Sequence, residues 1–231
     1  MVTIVLPVYN EQMVIEKNTL EVFNFCNKNL EDDWQVVISD NNSTDKTAEI
    51  GKKLAHKYER IKYYFTHNQG KGYGVIEAWQ NFPGDIYVFM DADLSTDVES
   101  LPRMIEAIKN GADIAAGSRF HHNSEVNRTW PRKFISRSLQ LILKISLQLK
   151  IQDAPCGFKA VNQKVIDEII PEIKNRTWFF DTEMIWLAQR KNFKIANIAI
   201  NWSESERASR VNLLIVIKDY FKNIYQLSRK Q

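Results

Sequence analysis

Apolar and polar positions change period repeatedly along the first half of the chain. Val2–Leu6, Val36–Ser39, Ile61–Phe65, Ile86–Met90 and residues 113–118 are short apolar runs of strand length. Helical spacing fills the gaps. Residues 11–28 carry Val14, Ile15, Val22, Phe23 and Cys26 at helical intervals. Lys46–Tyr58 follows the turn "DNNSTD", the glycine-rich turn "NQGKGYG" opens a helix to Asn81, and Val98–Asn110 is a further helix. Strands alternating with helices predict an α/β fold, with a mostly parallel central sheet covered by helices on both faces.

The second half is less regular. Residues 119–133 are polar and basic and read as a loop. Residues 134–150 keep helical spacing at Ile135, Leu139, Ile142 and Leu149, although Leu141 to Leu149 also alternates with period two. Helix is the reading taken. "DAPCGFKA" reads as a turn, 163–170 and 180–190 as helices, and 194–200 as a strand. Leu213–Ser228 is amphipathic, with Leu214, Ile217, Phe221, Ile224 and Tyr225 on a shared face.

In sheets of this kind ligands sit at the carboxyl ends of the strands. The polar clusters fall there: Tyr9-Asn10-Glu11, Asp40, and Asp91 with Asp93. In extended chain, residues i and i+2 point the same way, so the two acids of "DADLST" form a concentrated all-oxygen site. Such a site suits Mg²⁺ or Mn²⁺, the more so when a diphosphate completes the ligands. A solvated turn is the competing reading of the same motif. Asp40 has one too, as the acceptor of an Asx turn, with Ser43 and Thr44 placed to cap the next helix. "GKGYG" is a weak phosphate-loop signal, because it follows the third strand and lacks the P-loop spacing.

Composition narrows the options. The chain has 231 residues, 44% hydrophobic and 26% charged, with net charge +3, which gives no general case for nucleic acid. Two distant cysteines, Cys26 and Cys156, make neither a disulfide framework nor a zinc site. The opening "MVTIVLPVYN" reads as a strand and not as a signal peptide, so the expected compartment is cytoplasmic. No apolar run approaches the ~20 residues of a membrane span. The basic groups are local: Arg119, Arg128, Arg132, Lys133 and Arg137, then Arg207 and Arg210. Each is a solvated surface unless it faces the strand-end acids, where arginine would hold phosphate through its planar fork. Asp181 and Glu183 of "WFFDTEM" fit either the first turn of a helix or the lining of a sugar site.

The order of "IVLPVYNE", "SDNNSTDKT", "NQGKGYG", "DADLST", "GSRF", "RTWPRKFIS", "QDAPCGFKA", "WFFDTEM" and "NWSESERASRVN" resembles the family-two glycosyltransferases. Among these it looks like the dolichyl-phosphate glucose and mannose synthases. The resemblance covers about residues 2–212 and implies a GT-A fold. It also implies roles. Pro7, Tyr9, Glu11, Asp40 and Lys71 would hold the donor, together with Ala92 between the two acids. Asp91 and Asp93 would hold the metal and diphosphate, with Arg210 beside it. Arg119, Arg132, Ser136 and Arg207 would meet the acceptor phosphate, and Asp181 and Glu183 would line the donor sugar. By the same resemblance residues 1–97 would be the nucleotide-binding half, 98–210 the acceptor half, and 211–231 an amphipathic interface helix.

The implied reaction is metal-dependent, inverting transfer of a hexose from a nucleotide-sugar to dolichyl or polyprenyl phosphate. UDP-glucose is the favoured donor and GDP-mannose the next. A phosphate monoester has its second pKa near ~6, so this nucleophile needs no general base. The expected site of action is the cytoplasmic face of a membrane, with 134–150 and 211–229 lying in the interface. Packing on the core, in a homodimer or on a separate membrane protein is the alternative use of those apolar faces. Two other functions stay open: transfer to a glycan hydroxyl, with Asp181 or Glu183 as base, and a non-catalytic nucleotide-sugar binding module.

Overall fold

The computed structural model describes residues 1–127, 129–204 and 213–230, with backbone alone at 131, 132 and 213–215. Its strands are β1 (Val2–Val8), β2 (Trp34–Asp40), β3 (Ile61–Phe65), β4 (Ile86–Met90), β5 (Ile114–Ser118), β6 (Glu125–Asn127), β7 (Phe158–Asn162), β8 (Ile195–Ala199) and β9 (Asn201–Ser203). Its helices are α1 (Ile15–Asn29), α2 (Thr47–Lys57), α3 (Lys71–Asn81), α4 (Leu101–Lys109), α5 (Trp130–Leu147), α6 (Gln163–Glu168), α7 (Phe180–Arg190) and α8 (Leu213–Ser228).

Among the described residues the main sheet has seven strands in the order β3-β2-β1-β4-β7-β5-β8. Strands β1 to β4 are mutually parallel, and β5 is parallel to β8. Strand β7 runs antiparallel to both its neighbours, β4 and β5. The small β6–β9 pair forms a second, parallel sheet.

Period-two alternation explains the layers. From β4, Tyr87 and Phe89 enter the layer built with α3, α5, α6, α7 and α8. Ile86, Val88 and Met90 enter the opposite layer with α1, α2 and α4. Each fully buried aliphatic or aromatic side chain contributes about 1.5–3 kcal/mol, so a one-residue slip of β4 would reverse every one of these contacts.

Three elements differ from the sequence reading. "DAPCGFKA" is a turn only as far as Gly157, and from Phe158 it is the antiparallel strand β7. A buried lysine, Lys159, is the second residue of that strand and disguises it. The basic loop 119–133 contains β6, and α5 begins inside it at Trp130, where Pro131 occupies a position that favours helix starts. The described apolar side chains of α8 divide between core and surface, and that of Leu214 lies outside the described residues. Tyr220, Ile224 and Leu227 are buried in the core, while Ile217, Phe221 and Tyr225 are exposed.

Candidate active site

The antiparallel strand determines what surrounds the acids. Because β7 runs backwards, its beginning lies at the carboxyl edge of the parallel strands, with Phe158 opposite Met90. Gly157 therefore meets Asp91. The Asp91 N–H donates to the Gly157 carbonyl at 3.1 Å. A β-carbon at Gly157 would stand 1.9 Å from Asp91 Oδ2, so only glycine allows this approach. Leu94 takes a positive φ of 51° as the chain turns back, and its N–H reaches the Asp91 carbonyl at 3.0 Å. Asn18 of α1 holds the Ala92 carbonyl at 2.8 Å.

Charges alternate across this edge. Lys71, at the start of α3, places Nζ 2.5 Å from Asp91 Oδ1. Burial pulls the Lys71 ammonium down, but Asp91 and then Asp181 outweigh it and its pKa lies above the ordinary lysine value. Asp93 is exposed at the rim and accepts from the Ser95 N–H at 3.0 Å. Partial removal from water and then the Asp91 charge raise its pKa. Asp181, on α7, is buried and accepts from Lys159 Nζ at 3.4 Å. Burial raises its pKa, against the pull of Lys159 and Lys71. Lys159 also donates to the Ala154 and Cys156 carbonyls at 2.8 and 2.5 Å, which folds the 154–157 turn against Asp91.

The two carboxylates fit a hard divalent cation. They are oxygen donors and one is backed by a glycine cradle; they are not placed by extended chain, as the motif suggested, because the chain turns at Ala92–Asp93, and a cation between them would relieve their mutual repulsion. Among the described residues no third His, Cys, Asp or Glu joins them. The remaining ligands would come from a diphosphate and water, and the chemistry supplied is neutralisation of charge on a leaving phosphate.

The other sequence-predicted residues are placed as follows. Asp40 is fully buried, with Oδ1 taking the Ser43 N–H at 2.9 Å and Oδ2 the Tyr63 hydroxyl at 2.8 Å. The bond to Ser43 spans three residues and closes the loop after β2, beside the β1 end, in place of the two-residue Asx turn. The cap position of α2 is Lys46, with no side-chain cap bond; Asp45 just before it accepts from the Thr47 N–H at 2.9 Å in an Asx turn, and Ser43 Oγ serves the Asn10 N–H. Pro7 lies in β1 opposite Ser39, Tyr9 is 46% exposed at the edge, and the Glu11 N–H donates to Thr47 Oγ1 at 2.8 Å. Gly70 has φ of 146° and opens α3, but the Gly72 and Tyr73 amides donate to the Thr177 and Arg176 carbonyls at 3.2 and 2.9 Å. Those donors are thereby used within the protein.

Arg119 follows β5 at the same edge. Its Nε and Nη2 fork onto Asp153 at 2.7 and 2.8 Å, and its own N–H adds a third bond at 2.9 Å. Burial alone would lower its pKa, and Asp153 raises it well beyond the usual arginine value. Glu183 is buried and its Oε2 accepts from the Lys174 and Asn175 amides at 3.1 and 2.7 Å. Ser136 lies on α5 and is half-buried. Arg128, Arg207 and Arg210 lie outside the described residues, as does the side chain of Arg132.

Sequence reasoning assigned no role to Lys159, Asp153 or Gly157. Two of them carried a signal. A lysine between Phe158 and Ala160 needs a buried partner, and a glycine before an apolar run marks close backbone approach. Asp153 carried none, since its partner lies far away in sequence.

A doubly wound sheet with one antiparallel strand and acids at its carboxyl edge defines a GT-A α/β domain. Glucosyl-3-phosphoglycerate synthase from Mycobacterium tuberculosis, in complex with UDP, superposes with a TM-score of 0.72 at 17% identity over 99% of this chain and 80% of that one. The chain belongs to glycosyl transferase family 2, whose model matches residues 3–170. It is 31% identical to glycosyltransferase AglD of Haloferax volcanii over 92% of this chain and 34% of the relative. It is 30% identical to the dolichol-phosphate mannosyltransferase of Pyrococcus furiosus, over 99% of this chain and 64% of the relative. It is 28% identical to the dolichyl-phosphate beta-glucosyltransferase of Saccharomyces cerevisiae, over 99% and 77%. The chain thus spans about a third of the first of these relatives and under two thirds of the second.

Proposed function

We propose that the chain transfers a hexose from a nucleotide-sugar to a polyprenyl phosphate such as dolichyl phosphate, with Mg²⁺ or Mn²⁺ bound by Asp91 and Asp93. UDP-glucose is the favoured donor. The observation that carries this reading is the Asp91 carboxylate held between Gly157 and Lys71 at the carboxyl edge. Several relatives named dolichyl-phosphate beta-glucosyltransferase, and solved structures of similar fold holding UDP with Mn²⁺ or Mg²⁺, support it.

The chemistry follows from the residues. Breaking the anomeric bond puts negative charge on the leaving diphosphate. Lys71 lies beside Asp91, and a cation held by Asp91 and Asp93 would neutralise that charge as it develops. The acceptor phosphate arrives anionic, so no base is required. Asp181 is bonded to Lys159 and Glu183 to two amides. Both acids are therefore occupied structurally, which favours a phosphate acceptor over a glycan hydroxyl.

The acceptor is carried in a membrane. Among the described residues no helix is long and apolar enough to cross one. Helix α5 packs against α8. Trp130, Phe134, Leu141 and Ile145 of α5 and Ile217, Phe221 and Tyr225 of α8 are exposed. Lys133, Arg137, Lys144, Lys218 and Lys222 are exposed among them. An apolar stripe edged by cations suits the interface of an anionic leaflet, here the cytoplasmic one.

The test is a donor panel. Purified protein is incubated with labelled UDP-glucose, GDP-mannose and other nucleotide-sugars, with Mn²⁺ and either a short polyprenyl phosphate or an oligosaccharide. Label from UDP-glucose moving into organic solvent only with the lipid phosphate is the expected result. Transfer to the oligosaccharide alone would overturn it.

A further inference from the structure

The segment 174–177 is gripped from two sides. Glu183 of α7 binds its Lys174 and Asn175 amides at 3.1 and 2.7 Å. From α8, Asp219 Oδ2 accepts from the Thr177 hydroxyl at 2.9 Å and lies 3.5 Å from Asn175 Nδ2. Asn175 Oδ1 in turn accepts from the Thr177 N–H at 2.9 Å and lies 3.0 Å from the Thr177 hydroxyl, whose single proton it shares with Asp219. Asn223, one turn on, donates to Asp219 Oδ1 at 2.8 Å and fixes its rotamer.

The same segment holds the start of α3. Its Arg176 and Thr177 carbonyls accept the Tyr73 and Gly72 amides, two of the orphan donors of a helix N-terminus. The contact is close: a β-carbon at Gly72 would stand 2.8 Å from the Arg176 carbonyl carbon and 2.8 Å from Phe180 Cβ. Lys71, the residue before Gly72, carries the ammonium that meets Asp91 at 2.5 Å. The chain of contacts is continuous from Asp219 through Thr177 and the α3 first turn to Lys71 and Asp91. Tyr220 reinforces the seat of α8, with its ring 5.0 Å from Phe179 in an edge contact.

We infer that Asp219 is a positioning residue for the donor site: through Thr177 it sets where α3 begins, and so where Lys71 stands against Asp91. Helix α8 is then part of the donor-binding unit as well as a surface for lipid. This rests on the donor reading given above. Asp219 touches no reacting atom. It acts by removing freedom from a lysine that must meet a diphosphate at a defined place.

The test uses the full chain and UDP with Mn²⁺ as probe. UDP affinity is measured by calorimetry, and amide hydrogen exchange is followed over residues 70–75. Asp219→Ala and Thr177→Val should each weaken UDP binding about ten-fold and speed exchange at the Gly72 and Tyr73 amides. Thr177→Ser, which keeps the hydroxyl, should restore both. The double variant should bind no more weakly than either single one, because both break one link. Unchanged UDP affinity in both single variants overturns the inference, and so do losses that multiply in the double variant. A wild-type chain that binds no UDP overturns the donor reading, and this inference with it.

Discussion

The Lys71 ammonium stands 2.5 Å from the Asp91 carboxylate, and the two residues come from elements that meet only in the folded chain. The pair puts a fixed positive charge beside the first acid of the "DADLST" motif. Lys71→Met should leave the fold intact, since the buried Val75, Ile76 and Trp79 of α3, the Glu77–Tyr64 bond and the Gly72 and Tyr73 amides hold the helix without its ammonium. Turnover should fall about 10²-fold, the size seen when one preorganised charge or donor is removed. Steady-state kinetics with UDP-glucose and Mn²⁺ check this.

Gly157 leaves no room for a side chain beside the Asp91 carboxylate. Gly157→Ala should therefore displace the carboxylate, because its new carbon would lie 1.9 Å from Oδ2. The expected outcome is at least about 10²-fold loss of metal-dependent turnover, with a near-native circular dichroism spectrum. Titration with Mn²⁺, followed by its paramagnetic signal, should show weakened binding.

Asp93 gives a pH-dependent prediction. Its pKa in the folded chain is raised, so the folded state holds its proton more tightly than the unfolded state does. In the metal-free protein its contribution to stability therefore falls as pH rises from the ordinary carboxylate value through the folded pKa. Asp93→Asn removes that penalty. Its melting temperature should match wild type below about pH 4 and exceed it by about 1–2 °C at neutral pH. Activity should be abolished. Thermal melts across pH in chelator, beside an activity assay, measure both.

Arg119 and Asp153 form a largely buried ion pair, with side chains 15% and 1% exposed. Asp153→Ala leaves the guanidinium without its partner. A loss of about 3–5 kcal/mol follows, lowering the melting temperature on the order of 10 °C. Differential scanning calorimetry reads it.

The exposed faces of α5 and α8 predict membrane binding. Ile145→Glu with Phe221→Glu should cut co-sedimentation with anionic vesicles about ten-fold or more. Turnover of a water-soluble short-chain acceptor should be spared.

Most of the sheet was legible because β1 to β5 are short apolar runs, and period two and helical spacing alternate cleanly there. The strand-end acids followed from that topology. What escaped had physical causes. The five residues of β7 carry a lysine whose charge is answered by Asp181 and two carbonyls, all distant or local in ways a pattern does not register. The start of α5 was hidden among cations, although Pro131 marked it. Helix α8 is apolar on two sides, so its core face and its exposed face merged into one stripe. The forked bond of Arg119 to Asp153 joins residues 34 positions apart, which no local spacing reveals.

The reaction at the Asp91–Asp93 edge would leave a hexose on a lipid phosphate. Its most direct measurement is mass spectrometry of the lipid extract after reaction of the wild-type chain with UDP-glucose, Mn²⁺ and a short polyprenyl phosphate. A hexosyl phosphodiester that forms with wild type and is absent with Asp91→Asn is the expected result. Unmodified lipid, with UDP-glucose bound but not consumed, would contradict it.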